Sequence, residues 1–143
     1  MSHTESDIDH IRPRYGHGDG QRPLWSSRDY VADLIRRTLR RDRHKETRDW
    51  PTRLGFAVEG GQALDSDGPG PFFVACTSDD KMAGPGAQRY RATLEKAGWT
   101  VGFDHDGDLY VDASQPLANP PKWLARAFAR QSYYGQADSP EPE

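Results

Sequence analysis

Hydrophobic positions along the chain alternate between helical and strand spacing, and the changes fall at glycine, proline and serine clusters. Ser26-Ser27-Arg28-Asp29 supplies the hydroxyls and acid of a helix start. Val31, Leu34, Ile35, Thr38 and Leu39 then fall on one stripe at helical period. Arg36, Arg37, Arg40 and Arg43 lie on the opposite face, with Arg41 at its border. Asp29 and Asp33 in the early turns and arginines in the late ones complement the helix dipole, and Asp33 can pair with Arg37 at i,i+4. After Trp50-Pro51 the spacing changes. Leu54–Val58 reads as a strand, followed by a turn-rich loop through Asp65-Ser66-Asp67-Gly68. Phe72–Cys76 is a continuous apolar run of strand length, the signature of a buried central strand.

Ala87, Tyr90, Leu94 and Ala97 define a second helix, which Gly98 is placed to end in a Schellman motif that brings Trp99 onto Leu94. Ala83-Gly84-Pro85-Gly86 reads as the connector before it. Trp99, Val101 and Phe103 alternate with polar or small residues, Asp104-His105-Asp106-Gly107 makes a turn, and Leu109, Val111 and Ala113 return on the core side, so a β-hairpin is expected. A third helix is expected to start at Asn119 as cap with Pro120 at its first position, to bury Trp123, Leu124, Ala127 and Phe128, and to stop at Gly135.

The expected order is α-β-β-α-β-β-α: an α+β fold, with an antiparallel sheet of about four strands in two hairpin-like pairs packed with about three helices. The expected organisation is a disordered arm at 1–23, a single domain at 24–134 and a disordered acidic, proline-rich tail at 135–143. The arm is rich in glycine and proline and poor in apolar residues, too poor to offset the entropy of ordering. His3, His10 and His17 recur every seven residues within it, among glycines that argue against a helix. In element order alone the pattern resembles small secretion-chaperone folds, which bind partner proteins; no motif accompanies the resemblance.

Composition narrows the classes. The 143 residues are 34% hydrophobic with a formal net charge of −3, and no apolar stretch approaches the ~20 residues a membrane helix needs. The first residues carry acids and no apolar run, unlike a secretory signal. One cysteine leaves no disulfide framework and no cysteine-based zinc site. A soluble, cytoplasmic protein is the expectation. Arginine outnumbers lysine 15 to 4, beside 16 Asp, 3 Ile and 1 Asn, a bias that a GC-rich genome explains without phosphate binding.

The strongest functional hint is the Arg-rich face of the first helix. Residues 28–53 hold nine basic and five acidic residues, whereas 54–82 hold one and five. Such asymmetry marks either a solvated, internally balanced face or a surface for acidic partners. Arg36, Arg37, Arg40, Arg41 and Arg43 are the candidate contact residues, joined by Tyr133 and Tyr134; Trp50 and Tyr110 are also left unplaced by periodicity. Asp104-His105-Asp106-Gly107-Asp108 lacks the glycine and glutamate positions of an EF-hand loop and reads as turn chemistry. Cys76 ends the most apolar run and reads as a buried structural cysteine rather than a nucleophile served by His105. With no triad, paired carboxylates or metal set, no catalytic residue, metal or cofactor is expected. The chain is expected to be a small protein-interaction module (adaptor, chaperone-like factor or regulator) that binds another protein. The alternative is a nucleic-acid-associated regulator that grips phosphates through the first helix.

Overall fold

A computed structural model of the chain describes residues 13–44, 46, 55–60, 70–76 and 80–138. They form three α-helices and one four-stranded antiparallel sheet in the order α-β-β-α-β-β-α, the α+β class that the periodicities imply. The helices are α1 (Ser27–Arg41), α2 (Asp80–Lys96) and α3 (Lys122–Asp138). The strands are β1 (Phe56–Glu59), β2 (Phe72–Cys76), β3 (Val101–Phe103) and β4 (Leu109–Val111), side by side as β1-β2-β4-β3.

Ser26 caps α1 by accepting a hydrogen bond from the Asp29 amide at 3.1 Å. The expected stripe of Val31, Leu34, Ile35, Thr38 and Leu39 is buried throughout. It meets Phe56, Phe72, Val74, Leu109 and Val111 from one face of the sheet, together with Leu94, Trp99 and Leu124. Each aliphatic or aromatic side chain so buried contributes about 1.5–3 kcal/mol. Within the core, the Trp99 indole donates to Thr38 Oγ1 at 3.1 Å, and Thr38 in turn donates to the Leu34 carbonyl. Tyr30 reaches α3 by donating to the Ala127 carbonyl at 2.7 Å.

Arg28 fastens α1 to the β1–β2 connection. Its guanidinium donates to the carbonyls of Gly60 and Gly70, each at 2.7 Å, and of Pro71 at 3.3 Å, while stacking on the Phe72 ring. A rigid fork of donors suits this better than an ammonium would, because several carbonyls must be met at fixed angles. The loop 61–69 lies outside the described residues, but both of its ends are held by this one side chain.

Several boundaries differ from expectation. The helix α2 begins at Asp80, so Ala83–Gly86 is helical rather than a connector. Gly86 lies against Cys76, whose Sγ would be 2.6 Å from an added Cβ, and this close approach explains a glycine inside a helix. Asn119 does not cap α3: its φ is +52°, and the first turn instead closes on the Pro121 carbonyl. Gly135 does not stop α3, which runs to Asp138 and so into the stretch expected to be a tail. Residues 139–143 lie outside the described residues.

The expected arm also divides. Residues 1–12, including His3 and His10, lie outside the described residues, and His17 is exposed. Residues 13–24 fold back on themselves through Tyr15–Leu24, Leu24–Gly16 and Gly18–Arg22 backbone bonds. Tyr15 and Leu24 enter the core, with Tyr15 packed on Tyr30. Gly18 rests directly on the Asp33 carboxylate, where any Cβ would collide.

The end of α2 follows the sequence. The Trp99 and Gly98 amides donate to the carbonyls of Leu94 and Glu95, both at 3.0 Å, the two bonds of a Schellman motif. Gly98 has φ of +103°, and an added Cβ would meet the Ala118 carbonyl. Gly98→Ala is therefore expected to destabilise the fold by about 2 kcal/mol, read as a lower urea midpoint with an unchanged slope. An unchanged midpoint would contradict this geometry.

Candidate interaction surfaces

The Arg-rich face of α1 turns inward. Glu46 is only 5% exposed and forms an isolated bridge with Phe56 beside the sheet. Arg40 donates to its Oε1 at 3.1 Å, Arg22 from the folded-back segment donates to its Oε2 at 2.9 Å, and Arg36 Nε lies 3.6 Å from Oε2. Arg36 is itself 6% exposed, and burial, with Arg22 adding repulsion, pushes its guanidinium down to about 10. It stays charged at neutral pH. Arg37 forms the expected pair with Asp33, Nε to Oδ2 at 3.0 Å, although the angle makes it an ion pair rather than a hydrogen bond. Removing one partner from such a buried set typically costs 3–5 kcal/mol, so these contacts belong to stability.

The remaining candidates separate. Arg41 is exposed and lies over the Trp123 ring, 4.6 Å from its centroid. Arg43 is exposed at the left-handed position that ends α1, with φ of +69°. Tyr133 and Tyr134 fall in α3, and their side chains lie outside those described, as does all of Trp50. The structure thus brings Arg36 and Arg40 together around Glu46 and leaves Arg41 and Arg43 at the surface.

Because the common core lies on one side of the sheet, no described helix packs on its other face. Strand alternation puts Ala57, Glu59, Phe73, Ala75, Gly102 and Tyr110 there, and register aligns Glu59, Phe73, Tyr110 and Gly102 across all four strands. The Tyr110 ring lies flat over Gly102, whose added Cβ would be 2.8 Å from the hydroxyl oxygen. Glycine here lets an aromatic ring cover the edge strand. Asp104 and Asp112 continue the alternation just past the strand ends, where Asp104–Asp108 and Asp112–Thr100 backbone bonds extend the pairing, whereas Asp108 lines a pocket with Ala87 and Gln88 of α2 on the helical side. A centre of half-buried Phe73 and Tyr110 is therefore flanked by three acids, Glu59, Asp104 and Asp112, with no lysine or arginine among its described residues. Tyr110 is one of the aromatics that periodicity leaves unplaced, whereas the other positions read from sequence only as strand or turn residues. Lys122, Arg126 and Arg130, an exposed i, i+4, i+8 stripe on α3, carry no signal that singles them out in the sequence.

Two clusters have local explanations. Asp104 Oδ1 accepts from the amides of Asp106 and Asp108 at 3.0 and 2.9 Å, which is turn chemistry, although the three carboxylates approach within 4.8 Å. His105 stands exposed in that turn beside Asp106. Behind the C-terminus of α1, Thr93 donates to Asp42 Oδ2 at 2.6 Å, so the hydrogen between His44 Nε2 and Thr93 Oγ1, 2.9 Å apart, belongs to the histidine. His44 does not act as a base toward Thr93 in this arrangement. Its ring packs edge-on against Tyr90, which burial and the neighbouring Cys76 push up to about 12. Cys76 is half-buried rather than buried, lying between Tyr90 and Gly86.

No protein-family model, curated protein or solved structure matches the chain. The resemblance in element order to secretion-chaperone folds thus has no structural neighbour behind it. Among the described residues no helix is long and apolar enough to cross a membrane.

Burial pushes His44 below its ordinary value against the opposing pull of Asp42, with Arg89 adding to the depression. A histidine lower in the folded than in the unfolded state favours unfolding when it gains a proton. Its contribution is complete above about 6.5 and is lost as pH falls through the depressed value. Melting temperature should therefore fall between about pH 7 and pH 5 more steeply in the native chain than in His44→Gln. Parallel curves would contradict the depressed histidine.

Proposed function

We propose that the chain acts by binding, with no catalytic step of its own, and that it docks a basic, apolar-bearing segment of a partner protein on the open face of its sheet. One observation carries this reading: Phe73 and Tyr110 form a half-buried centre among small residues, flanked by Glu59, Asp104 and Asp112 without a described cation. Aromatic side chains in the middle of a patch supply most of the affinity of an interface. A rim of one charge sign selects its opposite and speeds encounter. The helical side contrasts with it, bearing Lys122, Arg126 and Arg130 in a row on α3.

The phosphate-binding alternative is weakened at its original place. Arg36, Arg37 and Arg40 are engaged with Glu46 or Asp33, leaving Arg41 and Arg43 of the five. A nucleic-acid contact would pass to the α3 stripe.

The test is amide NMR during titration with a synthetic peptide of alternating lysine and valine, beside a control with glutamate for lysine. Saturable shifts at Phe73, Gly102 and Tyr110 are expected from the lysine peptide alone. Tyr110→Ser should weaken binding about tenfold. Glu59→Lys, at an exposed edge-strand position opposite Phe73, should weaken it without altering the fold. Shifts confined to α1 or α3, or a duplex oligonucleotide that binds α3 while the peptide leaves the sheet unmoved, would overturn the proposal.

A further inference from the structure

A second surface feature is built from different residues. Where α1 and α2 end and α3 begins, a cavity of about 360 Å³ opens, with Arg41, Asp42, Thr93, Lys96, Asn119 and Trp123 in its wall. That volume lies at the lower end of ordinary small-molecule sites. It is also separate from the open sheet face, so it neither depends on nor explains the docking reading.

The polar groups of this wall fall into two sets. The first is internally satisfied: Thr38 is bonded to Leu34 and Trp99, and the Asp42 carboxylate holds the Thr93 hydroxyl at 2.6 Å. That hydrogen bond also keeps Asp42 below its usual carboxylate value. These groups shape the cavity. Among the described residues, the second set is held only by the Asp42 charge near Lys96 and by the Trp123 ring under Arg41. Arg41 and Lys96 form no ion pair with a described residue, and no described residue bonds the Asn119 amide, which the left-handed turn at φ +52° places beside the cavity.

Charge and shape then limit the ligand. Arg41 and Lys96 against Asp42 give the wall an excess positive charge. The α3 start adds to it, because the first helical bonds come from Leu124 and Ala125, which leaves the Lys122 and Trp123 amides ahead of them at the positive end of the helix dipole. The Arg41 guanidinium carbon lies over the half-buried Trp123 indole, 4.6 Å from its centroid. A guanidinium placed in this way offers its N–H edge to an oxyanion and its free face to a planar ring.

We infer that this cavity binds a small aromatic anion, its ring stacked on the Arg41–Trp123 pair and its carboxylate or phosphate held by Arg41, Lys96 and the Asn119 amide. A carboxylate and a phosphate monoester share this chemistry, and the experiment separates them.

The test follows the Trp123 indole N–H by NMR, assigned with Trp123→Phe among the four tryptophans of the chain. The probes are 1-naphthoate, 1-naphthyl phosphate, inorganic phosphate and neutral 1-naphthol. At least one naphthyl anion should shift the resonance saturably, with inorganic phosphate and naphthol at least about tenfold weaker. The tighter of the two anions names the headgroup. Arg41→Gln and Lys96→Gln, both at exposed positions, should each weaken that anion about tenfold with melting temperature unchanged. The inference is overturned by any of three results. No probe saturates by about 5 mM; naphthol binds as well as the anions; or affinity survives both substitutions, which would leave these cations as partners of the helix dipoles alone.

Discussion

Glu46 is the constraint on which the rest of this structure depends. One buried carboxylate gathers Arg22, Arg36 and Arg40 within 3.6 Å and so ties three separate parts of the chain to one point. Those parts are the folded-back segment at 13–24, the helix α1 and, through the Glu46–Phe56 bridge, the edge of the sheet. A buried charge of this kind adds little net stability compared with an apolar substitute, but it strongly penalises any arrangement that leaves one partner alone. Its effect is therefore on specificity of packing: α1 can seat in one rotation, with its arginines toward Glu46 and its leucines toward the sheet.

That rotation determines what the surface can do. With α1, α2 and α3 sharing one core, the apolar face of the sheet is closed and none of the described helices covers the opposite face. The arginines that dominate α1 in the sequence are largely withdrawn, and the surface charge is carried elsewhere. Acids rim the open sheet face and cations line α3 and the cavity at the helix ends. Both proposals, a basic segment on one side and a small anion on the other, rest on this division.

Much of the fold was legible because local signals agreed with one another. The Ser26 cap, the Gly98 terminus and the Phe72–Cys76 strand each combine a hydrophobic period with the turn or cap chemistry that the period requires. What escaped was non-local. Residues 13–24 have too few apolar side chains to announce a structure, and their order comes from Tyr15, from the Gly18 contact with Asp33 and from Arg22 reaching Glu46, 24 residues away. The fate of the α1 arginines was hidden for the same reason, since helical periodicity does not reveal a buried acid beyond the helix end. The sheet face was only partly readable: Phe73 lay in an apolar run and Tyr110 among the unplaced aromatics, and only the pairing register put them side by side with Gly102.

The most direct test of Glu46 as the anchor is a double-mutant cycle in urea unfolding with Arg22→Gln and Glu46→Gln. Their carboxylate–guanidinium contact is 2.9 Å and largely buried, and the two residues lie 24 positions apart in the chain. Coupling of about 1–3 kcal/mol is predicted, with the double variant far less destabilised than the sum of the single ones. Additive losses, with coupling near zero, would show that the folded-back segment is held without Glu46 and would contradict this account.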